Sequence, residues 1–344
     1  MSTRKNVTIT EVARAAKVST ATVSRALSKP DLLTKETREA VFKAIETTGY
    51  RANQAARNLR MKRASAILVL VPNLGKPFFS EILAGISEGF VGTGYSVLIS
   101  DTETRPMSDN ELAGSFLDGR IDGVLTLDGN LSEGLLESCK KAGVSERIVF
   151  VCEWVDGEGF HSIRSDNFGG ARMAIQHLND LGHTRIAHVT GPEGNVLTEA
   201  RREGVQAERA RLDIPARPEW IIRGDFSLES GREAAEKILA MKERPTAVFC
   251  AADMVAFGLI ARLHKGGVSV PEDMSVIGFD DIEMSQSFVP SLTTIRQDRR
   301  KIGRLAAERL LQRLETPDIE NCVDVVDVEL ITRESTAPPA DPSA

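Results

Sequence analysis

From Ala66 onward the chain alternates short apolar runs with helical segments, and that alternation leaves few folds open. Ala66-Ile-Leu-Val-Leu-Val71 is continuously apolar, as a strand buried on both faces of a parallel sheet must be. Further strands are read at Ser96–Ser100, Gly123–Leu127, Arg147–Cys152, Ile186–Thr190, Trp220–Arg223, Ala247–Cys250 and Ser275–Phe279. Helices fall between them at Glu81–Gly92, Asn110–Leu117, Gly169–Leu181, Glu199–Arg211, Leu228–Met241 and Met254–Lys265. About 260 residues of such alternation exceed what one doubly wound sheet uses, so the pattern predicts two α/β lobes. Ligands of these folds sit beyond the carboxyl ends of the strands, here a cleft between lobes.

The segment ahead of this body is built differently. Thr8 lies three residues before Glu11, the spacing of a capping box, and Ile9, Val12, Ala13 and Ala16 follow at helical spacing. Ser19 caps a second helix whose inner side is Val23, Ala26 and Leu27. Its outer side carries Thr20, Ala21, Thr22, Ser24 and Arg25. Small residues there permit close approach to a major groove, and Arg can grip guanine bidentately. A solvated face of an ordinary helix pair would look similar, and charge separates the two readings. Residues 1–63 hold 14 Lys/Arg against 5 Asp/Glu, a net of +9; the whole chain is −6, so residues 64–344 carry −15. A basic segment that also holds a two-helix reading motif points to nucleic acid.

A third helix runs from a Thr34 cap to Thr48, ended by Gly49, with Val41, Ala44 and Ile45 facing the pair. Residues 50–63 are then polar, basic and poor in core side chains. They read either as a flexible tether or as a hinge that turns helical on DNA and wedges Leu59 into the minor groove. No run approaches the ~18 apolar residues of a membrane span, and the N-terminus lacks a signal-peptide core. The expectation is a cytoplasmic protein without a membrane partner. Cys139, Cys152, Cys250 and Cys322 are far apart without ligand spacing, which predicts buried free thiols and no metal. GxGxxG, Walker A, GxSxG and HExxH patterns are all absent, so neither catalytic residues nor a cofactor are expected.

Several stretches together carry a resemblance. These are Val18-Ser-Thr-Ala-Thr-Val-Ser-Arg-Ala-Leu27, Gly49-Tyr-Arg-Ala-Asn53, Pro77-Phe-Phe-Ser-Glu-Ile82, Asp166-Asn167, Gly182-His183, Pro271-Glu-Asp-Met-Ser-Val-Ile-Gly-Phe-Asp280 and Leu292-Thr-Thr-Ile295. In that order they resemble the LacI/GalR family of transcriptional regulators over residues 7–335. Ser19–Arg25 and Arg223-Gly-Asp-Phe226 look most like its cytidine-responsive subgroup. The resemblance implies an all-α helix-turn-helix headpiece (1–49), a hinge (50–63) and a two-lobed effector domain like the type I periplasmic binding proteins (64–335). Its N-lobe would be about 64–164 plus 294–327 and its C-lobe about 165–293, with three crossings and a disordered tail at 336–344. It also implies a homodimer on a palindromic double-stranded operator, responding to a small sugar or nucleoside. A protein effector is the alternative.

By that resemblance Thr20, Ala21 and Arg25 read bases and Leu59 is the intercalating leucine. The DNA-facing set is completed by Thr8, Ser19, Thr22 and Ser24, with Asn53 and Ala56 in the hinge. Ala52 stands where many members carry proline, which makes the hinge start less rigid. In the cleft, Phe78 and Phe79 follow Pro77 at a strand-to-helix junction, where rings can cover a sugar or base; Phe79 divides evenly with core packing. Asp280 follows the strand Ser275–Phe279, where a carboxylate can accept from two vicinal hydroxyls; Asp281 could instead cap the next segment. Arg201, Asp166, Phe226 and Trp154 fall on family cleft positions, Trp154 sharing its weight with packing. Asp253 reads equally as a hydroxyl acceptor and as a helix cap.

Overall fold

The computed structural model describes residues 7–50, 63–155, 159–316 and 319–340. The chain divides into two compact units, Met1–Ala64 and Ser65–Ala344.

In the first unit, α1 (Ile9–Ala16), α2 (Thr20–Ser28) and α3 (Lys35–Thr48) enclose a small core. Val12, Ala13, Val23, Ala26, Val41 and Ala44 are buried at its centre. The ends of the helices are set by local chemistry. The Thr8 amide and hydroxyl both donate to Glu11 Oε2, at 2.6 and 3.0 Å. Ser19 Oγ accepts the Thr22 amide at 3.0 Å, and Thr34 Oγ1 accepts that of Thr37 at 3.4 Å. Gly49, at φ +67°, closes α3 in the left-handed conformation that glycine adopts without strain.

The second unit holds two six-stranded sheets with matching topology. The first runs β11-β5-β4-β3-β1-β2 and the second β12-β10-β9-β8-β6-β7. Their strands are β1 (Ala66–Val71), β2 (Ser96–Asp101), β3 (Gly123–Thr126), β4 (Ile148–Val151), β5 (His161–Ser165) and β11 (Val323–Val326), then β6 (Ile186–Val189), β7 (Ile221–Ile222), β8 (Ala247–Cys250), β9 (Ser275–Asp280), β10 (Thr293–Gln297) and β12 (Val328–Ile331). All pairings are parallel except β10 with β12. Each sheet is covered on both faces by separate apolar clusters, which explains why its inner strands β1, β4 and β8 read as unbroken apolar runs.

The lobe boundaries depart from the sequence reading at two places. Thr293–Gln297 pairs with β9 and β12, so it belongs to the second sheet, and the second crossing falls at Asp298 instead of near 293. The other crossings are at Asp166 and Asp327, on either side of which the strands change sheet. The tail is not loose from 336 either: Thr336 Oγ1 lies 3.0 Å from His177 Nε2, and the Ala337 carbonyl accepts from Ser275 Oγ at 2.9 Å. Sequence periodicity also passed over the helices Glu133–Lys141 and Arg299–Glu315 and the strands β5, β10, β11 and β12.

Arg299–Glu315 packs against Phe78–Gly89 through glycines on both sides. A Cβ on Gly303 would lie 2.2 Å from the Ile82 carbonyl oxygen, and one on Gly85 would lie 2.1 Å from that of Arg300. Backbone cannot yield as a side-chain tip can. Gly303→Ala is therefore expected to destabilise the body by ~1–3 kcal/mol in chemical melts. Gly114→Ala, where an added Cβ meets nothing within 4 Å, should be neutral or slightly stabilising. Equal stability of the two variants would refute the close-approach account.

Candidate operator-reading face and inter-lobe cleft

On the first unit, Thr20, Ala21 and Arg25 are exposed and Ser24 is half-buried along one side of α2. With Ile9, Thr10, Lys29 and Leu32 they line a shallow concavity. Ser19 and Thr22 have a different local task. Their hydroxyls lie 2.9 Å apart and hold the start of α2, just as Thr8 holds the start of α1. Asn53, Ala56 and Leu59 lie outside the described residues.

On the second unit, one cavity is lined from both lobes. Its walls include Lys76, Phe78, Phe79, Cys152 and Glu153 from the first, and Arg201, Phe226 and Asp280 from the second. These residues follow β1, β4, β6 and β7 in the chain or, as Asp280 does, end β9, at the carboxyl ends where this topology places ligands.

Asp280 ends β9 at φ +122°, a conformation costly for a residue with a side chain. The bent backbone coincides with a carboxylate on the cavity wall, buried except for 7% of its surface. Gln297 Nε2 donates to Asp280 Oδ1 at 2.7 Å, and Arg201 Nη2 lies 3.9 Å from the same oxygen. Burial pushes the Asp280 carboxyl up to about 6, against the pull of Arg201 and Arg299.

Arg201 projects from the second turn of the helix Val196–Leu212 and is itself buried. Its Nε donates to Asn167 Oδ1 at 2.9 Å, its Nη1 donates to the Ala251 carbonyl, and its guanidinium stacks 3.8 Å over the Phe279 ring. Burial lowers its pKa and Asp280 opposes the fall. An arginine fixed on three sides has little rotamer freedom left to lose when a ligand arrives.

Aromatic surface comes from each lobe. Phe78 is half-buried at the first position of its helix, edge-on to Phe79 at 5.2 Å between centroids. Phe79 is 7% exposed, joins the apolar cluster of the first lobe and also borders the cavity. Phe226 sits at φ +65° with its ring over Gly191, where a Cβ would come within 2.2 Å of Cζ.

Three of the sequence candidates have other work. Asp253 is fully buried, with Oδ2 accepting from the Ile282 amide at 2.9 Å and Ser285 Oγ at 2.6 Å, and Oδ1 from Thr294 Oγ1 at 2.5 Å. It accepts hydroxyls, but the protein's own, and tethers the loop after β9; burial and the neighbouring Asp280 raise its pKa. Asp166 caps the helix Asn167–Asp180, accepting the Gly169 amide at 2.8 Å, and does not line the cavity. Trp154 is also off the cavity, its ring stacked 4.1 Å from the Arg164 guanidinium at a separate concavity. Asp281 caps nothing; it binds Arg296 Nε and Arg333 Nη2, each at 2.7 Å.

Sequence reading missed Glu153, which crosses between the lobes. Its Oε1 accepts from Asn195 Nδ2 and its Oε2 from the Gly129 amide, both at 2.8 Å. Asn195 Oδ1 meanwhile caps the helix Val196–Leu212 through the Leu197 amide at 3.0 Å. Burial raises the Glu153 pKa, and the Gly129 and Asn195 hydrogen bonds oppose it. A second bridge is Arg299, whose Nη1 donates to the Phe78 carbonyl at 3.2 Å and Nη2 to that of Asp281 at 3.1 Å. A charged residue directly after a buried strand was the available signal for Glu153.

Comparison with known proteins agrees with both parts. Residues 8–53 match the bacterial regulatory proteins of the lacI family, and residues 175–336 match a periplasmic binding protein-like domain. The HTH-type transcriptional repressor CytR of Escherichia coli (strain K12) is 37% identical over 330 residues, 96% of each chain. The chain belongs to the lacI family. The HTH-type transcriptional repressor PurR of Aliivibrio fischeri (strain MJ11) is 35% identical, covering 95% of this chain and 98% of its own. A Lac repressor structure bound to ONPG in its repressed state superposes with a TM-score of 0.82 at 30% identity, covering 96% of this chain and all of that one. This lacI-family chain is thus a DNA-binding, effector-responsive transcriptional repressor with a helix-turn-helix unit and a two-sheet α/β body. Among the described residues no helix is long and apolar enough to cross a membrane.

Proposed function

We propose that this repressor holds a palindromic operator as a homodimer and that a sugar or nucleoside bound between its lobes sets the strength of that hold. The observation that carries the reading is the buried Asp280–Arg201 pair facing Phe78 and Phe226 across one cavity. A carboxylate and a guanidinium offer fixed acceptors and donors to vicinal hydroxyls, while the two rings cover an apolar face. The likeness to the cytidine-responsive subgroup favours a nucleoside among these ligands.

Linkage, not chemistry, transmits the signal. A ligand that touches both lobes stabilises one lobe arrangement over another in proportion to its differential affinity. The Glu153–Asn195 and Arg299 bridges are the bonds such a rearrangement has to remake. Dimerisation is supported by β2, which ends its sheet with β1 as its one partner and exposes Leu98 and Ile99 by 46% and 49%. Such an edge invites a second chain. On α2, Thr20, Ala21 and Arg25 are the proposed readers of sequence.

The test is operator binding by fluorescence anisotropy across a panel of sugars and nucleosides. A response to one chemical class supports the reading, and silence across the whole panel overturns it. The raised pKa of Asp280 adds a pH signature. As pH falls through the raised range that Asp280 shares with its buried neighbour Asp253, the pair gains a proton and the cavity loses an acceptor, so effector affinity should drop by up to ~tenfold per pH unit toward pH ~5. Unfolding does not mimic this. A carboxyl with its folded pKa above the unfolded value favours the folded state more, not less, as pH falls over that window. Calorimetric affinities that stay flat across it would refute the role of Asp280.

A further inference from the structure

At the outer edge of the first sheet a thiol, an imidazole and a carboxylate stand in line. Cys322 immediately precedes β11 and Asp324 lies within it, two residues apart and so on one face of the extended chain. His161 opens the neighbouring β5 and is buried except for 2% of its surface. Its Nδ1 accepts the Cys322 amide at 3.4 Å and faces the Cys322 sulfur at 3.4 Å. With Nδ1 accepting, Nε2 carries the ring proton and donates to Asp324 Oδ2 at 3.0 Å. Arg309 holds that carboxylate, with Nε at 2.7 Å and Nη2 at 3.1 Å. Burial lowers the His161 pKa against the pull of Asp324, which leaves the ring a neutral base near neutral pH.

Cys322 is exposed, contrary to the expectation of four buried thiols, whereas Cys139, Cys152 and Cys250 are buried. It opens on a concavity that Trp154, Phe160 and Arg164 also line. The three ligand atoms lie within 4.8 Å of one another, as a metal site would need. The bonding argues against an ion. Thiol and carboxylate meet opposite nitrogens of one ring, and both Asp324 oxygens already accept from Arg309.

We propose that Cys322 is a reactive thiol, activated by His161 and oriented through Asp324, that undergoes exchange with small organic disulfides. The Cys322 S–H proton passes to His161 Nδ1 as the sulfur attacks one sulfur of the disulfide. A new S–S bond to Cys322 forms while the disulfide's own S–S bond breaks. His161 then passes its proton to the departing thiolate or, where that thiolate is weakly basic, to water, so the disulfide is the oxidant and one equivalent of thiol or thiolate is released.

The probe is an aromatic disulfide whose released thiolate is coloured, added to the full-length native protein. One fast equivalent per chain is expected, on the order of tenfold faster than a free cysteine peptide at the same pH. It should vanish in Cys322→Ser and slow to the peptide rate in His161→Gln. Because His161 is buried, the pH–rate profile of the unaltered protein serves as an independent measurement. With base assistance the fast phase persists toward the titration range of His161, which Asp324, Arg309 and Arg313 also influence. An unassisted thiol instead loses about tenfold per pH unit below ~8.5. The proposal is overturned by that unassisted profile, by a fast phase surviving Cys322→Ser, or by its absence from the native protein. Blockade of the fast phase by submicromolar zinc would also overturn it and assign the trio to a metal.

Discussion

Asp280→Ala is expected to abolish the effector response of the repressor while leaving its effector-free operator affinity within about twofold. The change removes a buried anion that can accept from two ligand hydroxyls, each such charged hydrogen bond contributing ~1.5–3 kcal/mol. Effector affinity should therefore fall at least about a hundredfold. Asp280 lies in the Ser65–Ala344 unit, whereas the helices that read DNA have a core of their own, so operator binding has no direct stake in it. Asp280→Asn keeps the shape and one acceptor, and should retain an intermediate response. Anisotropy titrations with and without effector, alongside thermal melts to establish folding, separate these outcomes. A full response in Asp280→Ala would remove this residue from the site.

Arg25→Ala should weaken operator binding by roughly ten- to a hundredfold per half-site, from the ~1–3 kcal/mol of a bidentate base contact. Arg25 is exposed on α2 beside Thr20 and Ala21, and the helix core of Val23 and Ala26 does not depend on it. The discriminating comparison is between the operator and random DNA of the same length. Loss on the operator with relaxed base preference is the expected result, because base contacts specify and phosphate contacts only position. Equal loss on both sequences, with a reduced salt dependence, would show that Arg25 holds a phosphate.

The headpiece was legible almost in full. Its signals are local: Thr8 with Glu11, Ser19 with Thr22 and Gly49 at φ +67° act within a few residues of each other. The inner strands β1, β4 and β8 were equally plain, because burial on both faces leaves no polar residue in them. The edges were not. In β11, Val323 and Val325 are exposed by 50% and 59% and the strand has one partner, so hydropathy does not mark it. The crossing at Asp298 was misplaced for a related reason. Thr293–Gln297 is assigned to a lobe by its pairing with β9 and β12, which is long-range information.

Within the cleft the same division holds. Phe78, Arg201, Phe226 and Asp280 were legible, while Glu153 was not, because its partner Asn195 lies 42 residues away on the other lobe. Sequence by itself determined the helix-turn-helix, the basic segment before an acidic body, and two α/β lobes with cavity-lining residues at strand ends. Caps, charge and periodicity are properties of neighbours along the chain. Only the tertiary structure decided which carboxylates line the cavity. Asp253 follows β8 and Asp280 ends β9, yet Asp253 is already bonded to Ile282, Ser285 and Thr294, whereas Asp280 lines the cavity beside Arg201. A carboxylate is available only when packing leaves its lone pairs open, and that is set by residues distant in sequence.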